Sequence, residues 1–122
     1  MIEKIATEDL FCKIYVSSEL NRFQLAEFIG FQLDGITNGK FVSTHTLEIE
    51  FRENEDFDPE KSRNLNFLFY PIYLEIEPKQ DVESLDYINE VGKLVNILRN
   101  HEYQAIASCD FEDELPIEVI TA

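Results

Sequence analysis

Two cysteines, two histidines, four glycines and ten lysines and arginines are all that this 122-residue chain offers to thiol, imidazole, phosphate-loop and polyanion chemistry. Each scarcity excludes something. Cys12 and Cys109 are too few for the disulfide framework of a small secreted domain. Both fall in apolar runs that read as strands, where a free cysteine behaves as a small buried hydrophobe, so no disulfide is expected. His45 opens a strand and His101 closes a helix, and neither accompanies a Ser or Cys nucleophile in a recognisable motif. No glycine-rich phosphate loop is present. Ten basic residues set against 25 acidic ones argue against nucleic acid, whose binders neutralise phosphates with Lys and Arg, and equally against anionic membrane surfaces. No apolar run approaches the ~18 residues of a membrane span. Met1-Ile2-Glu3-Lys4-Ile5 lacks the basic region followed by an apolar core of a secretory signal, so a cytoplasmic location is expected.

What the chain has in excess is acid. Its formal charge is −15, packed hardest into Cys109-Asp110-Phe111-Glu112-Asp113-Glu114-Leu115. Hydrophobic residues at 44% and aromatics at 12% are too abundant for an acidic disordered tail, so the charge sits on a folded body. The length fits one domain over 1–122, with a loose tail expected from 116 to 122. A basic protein is the electrostatically natural partner.

Periodicity sets the expected order of elements. Leu10, Cys12, Ile14 and Val16 alternate as a strand, and Ser17-Ser18 offers a cap for a helix from Glu19 to about Leu33, with Asp34-Gly35 as its stop. Thr37-Asn38-Gly39-Lys40 is turn chemistry. Leu47, Ile49 and Phe51 alternate with Glu48, Glu50 and Arg52, the clearest half-buried strand in the chain. Glu53 to Asn64 reads as a long hairpin connection, mobile or used for contact. Asn66 to Glu77 reads as a strand with a bulge or edge at Pro71, closed by Pro78. Asp81 caps a helix carrying Val82, Leu85, Ile88, Val91, Leu94, Val95 and Leu98, and Tyr103 to Cys109 is a last strand. The order β-α-β-β-α-β predicts the ferredoxin-like split fold, an α+β arrangement in which a four-stranded antiparallel sheet carries two helices on one face.

In that arrangement Glu48, Glu50, Glu75 and Glu77 project together from the face opposite the helices, with Lys13 and Arg52 offsetting part of their repulsion and Tyr15 and Tyr73 as amphipathic anchors. Such a face is either a solvated surface that blocks aggregation or an acidic docking surface. RNA-recognition modules use the same face, but with basic neighbours around the exposed aromatics, which glutamates replace here. The segment Asp110, Phe111, Glu112, Asp113, Glu114 lacks the Asp-x-Asp-x-Asp-Gly spacing of a calcium loop, so no metal is expected; it reads as a docking patch or a solvated strand end, with Phe111 as core plug or contact. A carboxylate pair such as Glu75 with Glu50 can do acid–base work, but on a wet face nothing raises a pKa, so an enzyme is not expected and no cofactor is implied.

Three stretches carry a resemblance: Tyr73-Leu74-Glu75-Ile76-Glu77-Pro78, Tyr87-Ile88-Asn89-Glu90-Val91, and Cys109-Asp110-Phe111-Glu112-Asp113-Glu114-Leu115-Pro116. Together, over the C-terminal half, they look like small acidic immunity proteins encoded beside bacterial polymorphic or contact-dependent toxins. That resemblance implies a cytoplasmic inhibitor, specific for one basic toxin and acting by protein–protein interaction; it assigns no individual residue. The contact residues expected from the sequence are Glu48, Glu50, Tyr73, Glu75, Glu77, Asp110, Phe111, Glu112, Asp113 and Glu114. A competing expectation is a small-ligand-binding or regulatory domain acting as a dimer. A monomer is preferred because sheet-to-sheet pairing would bury glutamates against each other.

Overall fold

The computed structural model describes residues 10–64 and 66–116. The N-terminal stretch read for a signal segment and residues 117–122 of the expected tail lie outside the described residues. Six strands form one antiparallel sheet: β1 (Cys12–Ser17), β2 (Ile36–Asn38), β3 (Phe41–Ser43), β4 (Leu47–Glu53), β5 (Ile72–Pro78) and β6 (Gln104–Ser108), in spatial order β2-β3-β4-β5-β1-β6. Three α-helices accompany it: α1 (Arg22–Gln32), α2 (Pro59–Arg63) and α3 (Ser84–Asn100). The expected four-stranded, two-helix ferredoxin-like arrangement is therefore incorrect; the described residues form an α+β fold with a six-stranded sheet and three α-helices.

The two additional strands come from the segment read only as a turn. Asn38 pairs with Phe41, so the loop between β2 and β3 is Gly39-Lys40. Gly39 has φ 64 and is the only loop residue with positive φ, the pattern of a two-residue hairpin turn with glycine first. β3 then pairs along β4, with Phe41 opposite Glu50 and Ser43 opposite Glu48. Strands of three residues are too short to show a period, so chemistry identified the turn and not its flanks.

Helix boundaries are set by caps. α1 starts later than its serines suggested because Asn21 caps it: Gln24 N–H donates to Asn21 Oδ1 at 2.8 Å and Asn21 N–H to Gln24 Oε1 at 3.0 Å, a reciprocal capping box. It ends in a Schellman turn, Gly35 N–H donating to Gly30 O at 2.8 Å and Asp34 N–H to Phe31 O at 3.3 Å, with Asp34 left-handed at φ 58. Asp81 does not cap α3; it is itself left-handed at φ 67, and Glu83 takes the cap position. The connection after β4 is built rather than open. Asp58 Oδ1 accepts from Glu60 N–H at 3.0 Å and Lys61 N–H at 3.2 Å to start α2, and the Asn54 amide donates to Tyr70 O at 2.7 Å and Leu68 O at 3.0 Å. Phe67–Phe69 is a 3-10 turn, so β5 begins after Pro71 and no bulge is needed.

The core lies between the sheet and the pair α1 and α3. Cys12, Ile14, Val16, Leu47, Ile49, Phe51, Ile72, Leu74 and Ile76 point into it from alternate strand positions, and meet Leu25, Ala26 and Ile29 of α1 and Tyr87, Val91, Leu94, Val95 and Leu98 of α3. Each of the valine, leucine, isoleucine and phenylalanine side chains among them contributes about 1.5–3 kcal/mol by leaving water. Tyr87 is the one aromatic hydroxyl deep among them; it donates toward the Leu10 and Ile76 carbonyls, and burial raises its pKa.

Candidate functional site

Strand alternation sends the odd partners of that core to the far face, and the register orders them in rows. One row runs Asn38, Phe41, Glu50, Glu75, Lys13, Ser108. The next runs Ile36, Ser43, Glu48, Glu77, and a third Arg52, Tyr73, Tyr15, Ile106. Glu48, Glu50, Glu75 and Glu77 thus share one face, as the alternation predicts. With Phe41 and Ile49 they line a hollow of about 170 Å³.

Cations border the hollow. Lys40 Nζ is 3.0 Å from Glu50 and 5.5 Å from the centre of the Phe41 ring. Arg52 lies 3.9 Å from Glu50 and 3.6 Å from Glu75, and Lys79 3.6 Å from Glu48. Glu77 has no ion pair among the described residues. Arg52 offsets the glutamates as expected, but Lys13 does not join it; its ammonium sits 4.9 Å above the Tyr73 ring. Exposed pairs of this kind are worth about 0–1 kcal/mol each, so they moderate the repulsion without cancelling the field.

The face is partly roofed at one end. Phe67, from the turn before β5, meets Tyr15 edge-on at 5.4 Å, and Tyr15 lies 5.8 Å from Tyr73. Tyr73 is consequently half-buried within an aromatic cluster.

The C-terminal acidic segment divides by burial. Phe111 is 4% exposed and packs edge-on against Tyr87, and Leu115 is buried beside it. Phe111 is therefore the core plug of the two roles read for it. Pro116 lies against Gly92, where a Cβ would come within 2.6 Å of its ring, and its carbonyl accepts from the Asn96 amide at 3.1 Å. These anchors leave Asp110, Glu112, Asp113 and Glu114 exposed. Asp110, Glu112 and Asp113 line a polar hollow with Ser108, Cys109 and Phe11. Phe11, which lines this second hollow, immediately precedes Cys12, the partner of Ile76.

Sequence reasoning missed Phe41, Ile36 and Phe11. The first two reach the acidic face only through the unrecognised hairpin, and they stay exposed at 47% and 76%. Gly39, which opens the two-residue loop, was the available signal. His101 contacts the Phe28 ring and the Ile97 carbonyl rather than a nucleophile. Among the described residues no three His, Cys, Asp or Glu side chains are grouped to hold a metal, and no helix is long and apolar enough to cross a membrane. In comparisons with known proteins, no family model, no curated protein and no solved structure matches this chain.

Proposed function

We propose that this protein is an inhibitor of the immunity type, which neutralises a basic bacterial toxin, a nuclease by charge, through its acidic sheet face. The observation that carries the reading is the convergence of Glu48, Glu50, Glu75 and Glu77 on one hollow beside the exposed ring of Phe41. Lys40 already illustrates the chemistry: an ammonium between a carboxylate and an aromatic ring. A lysine or arginine of the partner would bind the same way, with Phe41 and Ile36 supplying apolar contact inside a charged rim. A formal charge of −15 would speed encounter with a cationic partner well above the neutral range. The reading requires no catalysis and no cofactor.

The test is co-expression with the product of the neighbouring gene in a cell which that product kills. Restored growth with the native chain, lost in Glu75→Lys/Glu77→Lys, supports inhibition through this face. Growth restored equally by both chains refutes the face, and no restoration by either refutes the inhibitor.

A second reading, a small-ligand-binding regulatory domain acting as a dimer, is favoured by one feature. A cleft of about 380 Å³ runs beside β6, lined by Phe67, Tyr70, Tyr103, Ala105 and Ile106 with Arg99 and Glu102 at its margin. Its volume falls in the usual range for small-molecule sites, roughly 300–1,000 Å³. A dimer in solution whose melting temperature rises with an apolar ligand would favour this reading over the first.

A further inference from the structure

Folding brings the two cysteines together. Lys13 of β1 stands opposite Ser108, the last residue of β6, so the same register carried one step past the end of β6 brings Cys109 toward Cys12. Antiparallel partners alternate between hydrogen-bonded and non-hydrogen-bonded pairs. Two outward-pointing backbone groups fix which kind this is. The Ala105 carbonyl accepts from Arg99 Nε at 3.0 Å and Nη2 at 2.8 Å, and the Cys109 N–H donates to Glu112 Oε2 at 3.1 Å. Residues whose backbone groups point away from β1 form non-hydrogen-bonded pairs with it, and 105 and 109 have the same parity. Within a ladder such pairs hold their Cα atoms about 4.5 Å apart, within the roughly 4.4–6.8 Å that a disulfide spans, and Cys109 is the first residue past the end of that ladder.

The surroundings of the two sulfurs differ. Cys12 is fully buried among core side chains, whereas Cys109 is half-exposed and lines the polar hollow of about 490 Å³ with Phe11, Asp110 and Glu112. The Cys12 S–H donates to the Lys13 carbonyl at 3.6 Å, and the Cys109 N–H is held by the Glu112 carboxylate. The neighbouring Cys12 thiol lowers the Cys109 pKa against the opposing effects of burial and the Glu112 and Asp110 carboxylates, while Cys109 and burial raise that of Cys12. One thiol is thus accessible and its neighbour is sequestered in the core. The carboxylates around the hollow favour a small neutral oxidant over an anionic one.

We propose that Cys12 and Cys109 form a hydroperoxide-reactive dithiol, in which Cys109 is the attacking thiol and Cys12 the resolving one. The Cys109 thiolate attacks the peroxide; an S–O bond forms, the O–O bond breaks, and the departing oxygen leaves as water or alcohol after taking a proton. The Cys12 sulfur then attacks the Cys109 sulfenic acid; an S–S bond forms, the S–O bond breaks, and the Cys12 proton leaves with the hydroxide as water. Two electrons pass from the thiols to the peroxide. A dithiol reductant reverses the bond by exchange.

The test exposes the reduced full chain to hydrogen peroxide, blocks remaining thiols with iodoacetamide in denaturant, and measures the intact mass. The expected product is a monomer lighter by the two thiol hydrogens, with both cysteines protected from alkylation and both restored by dithiothreitol. In Cys12→Ala, Cys109 accumulates as a sulfenic acid captured by dimedone; in Cys109→Ser, Cys12 stays reduced over the same exposure. Peptide mapping of the native chain locates the Cys12–Cys109 link without relying on either variant's folding. Full alkylation of both cysteines after exposure overturns the proposal. So does a disulfide found only between two chains, or oxidation of Cys12 in Cys109→Ser at the native rate.

Discussion

Asp34 occupies the left-handed position of the turn that ends α1, at φ 58, where only glycine escapes a steric penalty of about 1–2 kcal/mol. Glycine gives back part of that gain through the greater freedom of its unfolded chain, about 0.4–1 kcal/mol. Asp34→Gly is therefore expected to stabilise the protein by about 0.5 kcal/mol, read as a higher urea midpoint at unchanged slope. A second residue-scale prediction concerns Cys109. The neighbouring Cys12 thiol is the largest influence holding its pKa down, so the native thiolate persists to lower pH than that of an ordinary cysteine. Cys12→Ala removes that thiol while keeping the site apolar. The pH midpoint of Cys109 alkylation by iodoacetamide should then move upward; an unchanged midpoint would mean that the Phe111 N–H and not Cys12 sets the thiol's reactivity.

At the scale of elements, the acidic segment depends on α3 for its position. Gly92 admits the Pro116 ring so closely that any Cβ forces it away, and Phe111 and Leu115 anchor the same stretch in the core. Gly92→Ala is expected to cost about 1–3 kcal/mol by overpacking and to expose 110–116 to proteolysis ahead of the sheet. A variant as resistant as the native chain would show that Phe111 and Leu115 suffice. Elements with a long, clean period were legible in the sequence: β4 and β5 through Leu47, Ile49, Phe51, Ile72, Leu74 and Ile76, and α3 through Val91, Leu94, Val95 and Leu98. The common face of the four glutamates follows from that same alternation. The hairpin β2–β3 was not legible, because three-residue strands carry too few side chains to display a period, and with it went Phe41 and Ile36. Caps were misplaced where several polar residues competed. Ser17, Ser18 and Asn21 are all competent, and only Asn21 has a Gln three residues on to close the box.

For the whole molecule, the charge of −15 is a cost to folding that a partner of opposite sign would relieve. Three of the four glutamates on the sheet face are met by Lys40, Arg52 or Lys79, so the face is arranged to tolerate its own field while remaining accessible. Attraction of this kind acts on the rate of encounter and weakens as salt shortens its range to about 10 Å at 0.1 M. Under the proposed reading, apolar contact through Phe41 would act instead on dissociation, so the two contributions are separable by kinetics. The most direct measurement is the association rate of the full chain with the purified product of the neighbouring gene, across a salt series, for the native chain and for Glu75→Lys/Glu77→Lys. An acidic docking face predicts an on-rate that falls steeply with salt and falls again on charge reversal at low salt. Absence of binding, or an on-rate indifferent to both salt and reversal, would contradict it.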